Sequence, residues 1–260
     1  MSQQVALCAI AKDEDDYLGE WLDYHFALGV SHVFLYDNHD VPKYGSYASL
    51  YPGRLTVFHL PGACAQMTAY EHGRLYALGL PEPPVWLGFI DIDEFIVIRD
   101  MDSLSAFLER YGPAEGALAL NWVLFGNNGH ERYNPEHEGG TSVLRRFTRR
   151  QVGVNPHVKW VVRLKDLKHM LSPHHGLFHR PWVNAVDCKG RMIPDNGPYH
   201  PEGDDTIACI HHYFTKSTDE FRRKCLRGRA DIPERRTMEA DFARHNFNDI
   251  EDRSILEKGG

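Results

Sequence analysis

Cysteine is scarce in this chain of 260 residues, which contains five cysteines, an odd number, and no C-x-x-C pair. They are scattered along the whole sequence, at Cys8, Cys64, Cys188, Cys209 and Cys225. Several lie in apolar runs, where a free thiol behaves as a small hydrophobic side chain. This usage predicts reduced thiols in a cytoplasmic protein rather than a disulfide framework.

Long apolar runs are missing as well. No window approaches the roughly 20 apolar residues that a membrane-spanning helix requires. The first residues, MSQQVALCAIAKDE, place no basic residue before their short apolar stretch, so we expect no signal peptide. We therefore expect a soluble protein with no transmembrane segment.

A basic surplus is also absent, since 29 Lys and Arg residues stand against 36 Asp and Glu residues, a formal net charge of −7. Non-specific nucleic-acid binders usually show the opposite balance, so we expect no nucleic-acid partner. The one dense basic run lies at residues 145–150. As an alternating strand it would send Arg146, Thr148 and Arg150 into solvent, although an anionic acceptor or peripheral contact with a membrane surface stays open there.

Short apolar runs alternate with helical patterns over the first hundred residues. We predict strands at 5–11, 32–36, 55–60 and within 85–98, and helices at about 18–28, capped by Asp13 or Asp15, and at 66–78. This rhythm predicts an α/β fold, with a mostly parallel central sheet, right-handed crossovers and helices on both faces. Ligands bind beyond the carboxyl ends of such strands, which is where the polar clusters of this region fall.

The pattern loosens after residue 100. We predict strands at 117–125, 143–149, 158–164 and 206–215, helices at 104–111 and 218–227, and irregular structure around a site at 165–204. No repeat, low-complexity tract or clear linker divides the sequence. We therefore expect one domain over residues 1–260, with a nucleotide-binding half (1–100) and an acceptor-side half with C-terminal helices (101–260).

Asp91 and Asp93 form the strongest local signal, in the run Gly88-Phe89-Ile90-Asp91-Ile92-Asp93-Glu94-Phe95. Side chains two apart on a strand share a face, so these carboxylates can converge on one ion. Hard oxygen ligands suit Mg²⁺ or Mn²⁺, which in turn neutralises a diphosphate. The alternative is that both acids follow the strand end and accept hydrogen bonds from loop amides.

This run resembles the D-x-D motif of GT-A glycosyltransferases, and the resemblance to bacterial family-2-like and family-92-like enzymes extends from about residue 5 to 255. Four further blocks carry it in the same order: Ala11-Lys12-Asp13-Glu14 with the segments that follow it, Phe125–His130, His212–Ser217 and Asn248–Asp252. The sequence departs from the pattern at Lys12-Asp13, where Asn-Glu is usual, and at His211, where Asn is usual.

The resemblance implies a metal-dependent, inverting glycosyltransferase that uses Mn²⁺ or Mg²⁺ and a nucleotide-sugar donor, expected to be UDP-linked, with a glycan or glycolipid acceptor. It implies metal ligands at Asp91, Asp93 and His212. It also implies that the base and ribose are bound by Ala11, Asp13 and Asp37, and the diphosphate by Arg74 and Lys216. A turn-forming role for Asp37 and a structural role for His212 remain alternatives.

The catalytic base is not fixed by the sequence. Candidates are His130 and Glu131 in the loop after the middle strand, and Asp204 or Asp205 before the late strand, while a retaining mechanism would need no base. Trp122 could stack on a sugar, and His157 and Lys159 could face phosphates or the acceptor.

Two other functions stay open. Nucleotidyl transfer normally requires a glycine-rich loop after the first strand, which the run 9–14 lacks. A catalytically inactive sugar-nucleotide-binding protein is the other alternative. A zinc hydrolase would need a motif such as H-E-x-x-H, which the sequence does not contain.

Overall fold

The computed structural model describes residues 3–136 and 139–257. Its strands are β1 (Val5–Ala11), β2 (His32–Asp37), β3 (Leu55–His59), β4 (Trp86–Phe89), β5 (Glu94–Ile98), β6 (Ala117–Leu124), β7 (Arg149–Arg150), β8 (Asn155–Arg163), β9 (Leu167–Met170), β10 (Gly176–Phe178), β11 (Ala185–Val186), β12 (Ala208–His212) and β13 (Ile250–Glu251). Its α-helices are α1 (Asp15–Ala27), α2 (Tyr47–Leu50), α3 (Gln66–Leu78), α4 (Leu104–Tyr111), α5 (Val143–Arg146), α6 (Thr218–Arg227), α7 (Met238–His245) and α8 (Ser254–Glu257). In these ranges no helix is long and apolar enough to cross a membrane.

A central sheet organises the fold, with strand order β3-β2-β1-β4-β8-β6-β12-β5 and β11 beside β6. The strands β3, β2, β1 and β4 are parallel, whereas β8 and β5 run against their neighbours. Because most adjacent pairs are parallel and helices surround the sheet, the predicted α/β class is confirmed.

The core consists of two apolar layers, one on each face of the sheet. Alternate residues of β1 enter different layers: Leu7 packs with α1 residues such as Trp21, and Cys8 packs with α3 residues such as Tyr70. All seven residues of β1 are buried. A strand buried on both faces reads as a continuous apolar run, which is why this strand was predictable from the sequence.

The helix α1 begins at Asp15 and is followed by Gly29 at φ 98°, a conformation that glycine adopts at low cost. The expected cap at Asp13 or Asp15 is wrong. Glu14 occupies the N-cap position, and its side chain makes no capping hydrogen bond.

Residues 143–149 do not form the predicted strand. The segment is the short helix α5, started by Ser142, whose hydroxyl accepts from the Arg145 amide, followed by the two-residue strand β7. The carboxylate of Glu20 accepts a 2.7 Å hydrogen bond from the Val143 amide. The basic run is therefore anchored through its backbone, not presented as an alternating surface strand.

Arg146 also points inward, contrary to the sequence prediction. Its guanidinium donates two 2.8 Å hydrogen bonds to the Glu220 carboxylate, and both side chains are almost fully buried. Glu220 closes the capping box of α6 with Ser217 and accepts from the Tyr17 hydroxyl. This ion pair therefore joins α5 to the start of α6.

We expect Arg146→Met to lower the free energy of unfolding by about 3 kcal/mol at neutral pH, because Glu220 is left buried without its partner. Burial opposes ionisation of Glu220, but the bonds from Arg146 hold its pKa down at about 2. A lowered folded pKa stabilises the protein above the unfolded value of about 4.3, and this contribution is lost as the pH falls towards 2. In urea unfolding, the difference in unfolding free energy between the wild type and Arg146→Met should therefore become smaller as the pH falls from about 5 to about 3.

The exposed neighbour Arg145 provides the matched control. Arg145→Met should unfold within about 0.5 kcal/mol of the wild type. An equal loss for both variants, independent of pH, would contradict the role given to the buried pair.

Candidate functional site

A cleft of about 440 Å³ opens at the carboxyl ends of β1, β2, β4 and β12. Because β8 is antiparallel to its neighbours, its first residues lie at the same edge. The segment from α6 to α7 supplies another part of the lining. The lining side chains that carry charge or an imidazole are Lys12, Glu14, Asp40, Asp91, Asp93, His157, His174, His212, Lys224, Arg227, Arg229, Asp231, Arg236, Asp241 and His245.

Asp91 and Asp93 lie in a tight turn, not on a strand. The strand β4 ends at Phe89 and β5 begins at Glu94. The turn is closed by the Glu94 amide, which donates to the Asp91 carbonyl at 3.0 Å, and by the Asp91 amide, which donates to the Glu94 carboxylate at 3.0 Å. The prediction that the two aspartates share one strand face is therefore wrong, because the chain reverses between them.

Lys159 of β8 lies beneath this turn. Its ammonium is 3.0 Å from Asp91 Oδ2 and 3.3 Å from Glu94 Oε2, and its side chain has no solvent exposure. Asp91 Oδ1 accepts from Gln66 Nε2 at 2.7 Å and from the Tyr70 hydroxyl at 3.1 Å. Both carboxylate oxygens of Asp91 therefore have donors within the protein.

The ionisation states of this cluster follow from burial and from Lys159. Burial acts to raise the pKa of Asp91, but the charge of Lys159 holds it below its usual value. Burial raises the pKa of Glu94 to about 8, against the same charge. One lysine thus balances one ionised carboxylate, and the second carboxyl group is protonated near neutral pH.

Asp93 faces the cleft beside His212 and Lys224. Lys224 Nζ is 2.5 Å from Asp93 Oδ2, and His212 Nε2 is 3.6 Å from Asp93 Oδ1. Burial opposes ionisation of Asp93, but Lys224 and His212 hold its pKa well below its usual range. Burial lowers the pKa of His212 to about 4, so its imidazole is neutral at pH 7 and can donate an electron pair to a metal ion.

Trp122 holds His212 in place rather than offering a face to a sugar. Its ring lies edge-on to the imidazole of His212, with centroids 4.3 Å apart, and stacks on His157 at 4.8 Å. The tryptophan is only 7% exposed. His157 therefore covers the Trp122 ring that was a candidate for stacking on a sugar.

The residues predicted to bind the nucleotide base do not line this cleft. Asp37 is buried, and its oxygens accept from the amides of His39, Lys43 and Tyr44, so it forms a turn. Ala11 is buried in β1. Asp13 borders a neighbouring cavity of about 450 Å³.

The residues predicted to bind the diphosphate are also directed elsewhere. Arg74 pairs with Glu71 at 2.6 Å and donates to the Leu167 carbonyl. Lys216 borders the neighbouring cavity, 3.6 Å from Glu14 Oε2 and above the ring of Tyr17. Neither side chain reaches the turn at Asp91 and Asp93 in this structure.

The four candidate bases lie outside the cleft as well. The carbonyls of His130 and Glu131 accept hydrogen bonds from the first amides of α6. Asp205 pairs with Arg150 at 2.9 Å and with Arg99 at 3.5 Å. None of the four side chains lines the cleft, so none is placed to take a proton there.

Sequence reasoning missed the cations and the helix that complete the site. Lys224 and Arg227 are three apart on α6, a spacing that places both on one helix face. Arg229 and Arg236 follow in the connection to α7, whose residues Asp241 and His245 share a face at i, i+4. The spacing was visible in the sequence, but nothing there indicated that this face lies against the strand ends.

Comparison with known proteins finds sequence similarity to members of one protein family. No protein-family model matches the chain. A glycosyltransferase family 92 protein from Ricinus communis is 35% identical over 95 residues, 35% of this chain and 17% of that protein. A second, from Oryza sativa subsp. japonica, is 27% identical over 136 residues, 50% of this chain and 23% of that protein. The matched stretches span less than a quarter of these relatives.

Two solved structures show partial likeness to this fold. S. aureus TarS 1–349 in complex with UDP-GlcNAc matches 51% of this chain and 37% of its own, with 14% identity and a TM-score of 0.37. The catalytic domain of Drosophila β1,4-galactosyltransferase 7, in complex with xylobiose, matches 62% of this chain and 49% of its own, with 10% identity and a TM-score of 0.25. The relation to family 92 is carried by the sequence alignments.

The buried ion cluster generates a prediction about stability. We expect Lys159→Met to lower the free energy of unfolding by ~3–5 kcal/mol in urea titrations, because it leaves the buried Asp91 carboxylate without its counter-charge. Adding Asp91→Asn should recover part of the loss.

Lys168→Met, on the exposed side of β9, is the matched control and should be neutral. If Lys159→Met were as stable as the wild type, Lys159 would not hold the turn.

Proposed function

We propose that this relative of the family 92 glycosyltransferases transfers a sugar from a UDP-sugar to a hydroxyl group of a glycan or glycolipid, with the help of Mn²⁺ or Mg²⁺. The observation that supports the proposal most is the meeting of Asp93, His212 and Lys224 in one cleft at the strand ends. A carboxylate and a neutral imidazole suit a divalent ion, and an ammonium beside them suits a phosphate.

Asp93 and His212 are the residues that would hold the ion. Among the described residues no three His, Cys, Asp or Glu side chains are arranged to hold a metal. Two protein ligands still fit the proposal, since Mg²⁺ is commonly bound through one or two protein groups together with substrate phosphates. Asp91 fits less well, because Lys159, Gln66 and Tyr70 already engage its oxygens. When bound, the ion supplies positive charge next to the diphosphate.

Arg236 is the best-placed arginine for the diphosphate. Its guanidinium donates to the Gly228 carbonyl at 3.0 Å, and within the described ranges no carboxylate lies within 4 Å of it. Burial lowers its pKa despite the attraction of Asp93. By contrast, Arg227 is paired with Glu14 and Arg229 with Asp231. A diphosphate would give Arg236 the counter-charge that the protein does not provide.

Lys224 can stabilise the leaving group. In this structure it neutralises Asp93, and burial lowers its pKa to about 8. A diphosphate between Lys224 and Arg236 would receive two cationic donors from the segment that follows β12. Negative charge that develops on the leaving oxygen is stabilised best by donors already in position.

The first test is thermal melting of the full chain with UDP, UDP-sugars and other nucleotides, each with and without Mn²⁺. We expect the melting temperature to rise only when a uridine nucleotide and Mn²⁺ are both present, and Asp93→Asn to abolish the rise. Glu82→Gln, an exposed loop variant, should behave like the wild type. No rise with any nucleotide would contradict the proposal.

A second test addresses the diphosphate. Arg236→Gln removes one charge-assisted contact, worth about 1.5–3 kcal/mol, so the Kd of UDP in calorimetric titrations with Mn²⁺ should rise by at least about tenfold. The exposed neighbour Arg235 is the control, and Arg235→Gln should leave the Kd within about twofold. Equal affinities for the two variants would remove Arg236 from the donor site.

A further inference from the structure

A transfer that inverts the anomeric centre needs a group that accepts the proton of the acceptor hydroxyl. We propose that the Asp241 carboxylate on α7 is this general base. The inference rests on the proposed glycosyl transfer and adds the residue that activates the acceptor. It replaces the sequence candidates His130, Glu131 and Asp205, which lie outside the cleft.

Asp241 differs from the other carboxylates of the cleft in its ion pairing. Five of the six cleft carboxylates have a cation within 4 Å: Asp91 with Lys159, Asp93 with Lys224, Glu14 with Arg227, Asp231 with Arg229, and Asp40 with Lys12. An adjacent cation stabilises the ionised form and weakens a carboxylate as a proton acceptor. In the described part of the chain, Asp241 has no such partner.

The local contacts of Asp241 orient it without using all of its acceptor capacity. Its Oδ2 accepts from the Thr237 amide at 2.6 Å and from the Thr237 hydroxyl at 3.4 Å. Within residues 3–136 and 139–257, no protein donor bonds to Oδ1. One oxygen is therefore fixed by the start of α7, and the other is available to an acceptor hydroxyl.

The position of α7 places Asp241 beside the donor site. His245, four residues later on the same face, stacks on Phe214 with centroids 4.0 Å apart. Phe214 follows His212 by two residues and also lies 3.9 Å from Lys224 Nζ. An adjacent face of α7 is anchored by Phe242, which packs on Phe221 of α6. The base and the leaving-group cations are thus carried by one packed unit.

Imidazoles are the rival bases in this cleft. Burial lowers the pKa of His157 to about 4 and that of His174 to about 3, which makes both poor proton acceptors. The pKa of His245 is also lowered by burial, and its Nδ1 bonds to the Asp241 carbonyl at 2.7 Å. An experiment must therefore distinguish His245 from Asp241 as the general base.

The proposed reaction is a single displacement at the anomeric carbon. The acceptor O–H proton moves to Asp241 Oδ1 while the acceptor oxygen forms a bond to the anomeric carbon. The bond from that carbon to the diphosphate oxygen breaks, and its electron pair leaves with UDP between Lys224 and Arg236. The protonated Asp241 then returns its proton to solvent.

The test measures UDP release with Mn²⁺ from the UDP-sugar that gives the largest melting shift. Acceptors are water and a panel of p-nitrophenyl glycosides, and ¹H NMR records the configuration of the product. Asp241→Asn should lower kcat by about 10²–10⁴-fold with the Kd of UDP unchanged, and Asp241→Glu should recover part of the rate. Glu239→Gln, exposed on the same helix, should keep most of the activity.

Three outcomes would overturn the assignment while leaving donor binding intact. They are an Asp241→Asn variant as fast as the wild type, a loss of rate found in His245→Gln alone, and a product of retained configuration. If the wild type binds UDP and Mn²⁺ but transfers to no acceptor, the role of Asp241 fails together with transferase activity. If the wild type shows no metal-dependent nucleotide binding, the failure belongs to the proposed donor site.

Discussion

The site depends on a buried ammonium group. Lys159, without solvent exposure, contacts Asp91 and Glu94 and so fixes the reversal between β4 and β5. A buried charge is tolerated only when it is paired, so the turn cannot relax without leaving one of these groups uncompensated. Asp93 follows from this constraint, because the turn presents its carboxylate to the cleft beside His212. The antiparallel course of β8 is what brings Lys159 under the strand ends.

The charges of the cleft come from two parts of the chain. The strand ends supply Asp91, Asp93 and His212, whereas α6 and the segment after it supply Lys224, Arg227, Arg229 and Arg236. Three contacts attach that segment to the rest of the fold: Arg227 with Glu14, Arg146 with Glu220, and His245 with Phe214. A diphosphate needs both parts at once, since cations alone would repel a metal ion and acids alone would repel the nucleotide. Docking of the C-terminal segment is therefore required to form the proposed donor site.

Much of the sheet was predictable, because buried parallel strands leave continuous apolar runs such as 5–11. The sequence also indicated Asp91, Asp93 and His212 as candidates, as two acids within an apolar run and a histidine in a late strand, and the fold places His212 beside Asp93. The reversal after Phe89 was not, because Ile90 and Ile92 continue the apolar pattern through the turn. Asp37 was predicted to bind a ligand, but it forms a turn. A carboxylate at a strand end has the same sequence pattern whether it binds a ligand or accepts hydrogen bonds from three backbone amides. Lys224 and Asp241 could be assigned to the cleft only from the fold, since more than a hundred residues separate them from Asp93.

A crystal structure of the full chain with UDP and Mn²⁺, including anomalous data for manganese, would locate the metal and the diphosphate in one experiment. We expect one anomalous peak bonded to Asp93 and His212, diphosphate oxygens on the same ion, and contacts from Lys224 and Arg236 to the diphosphate. Asp91 should stay bonded to Lys159. A nucleotide bound away from this cleft, or manganese held by other residues, would show that the proposed donor site is wrong.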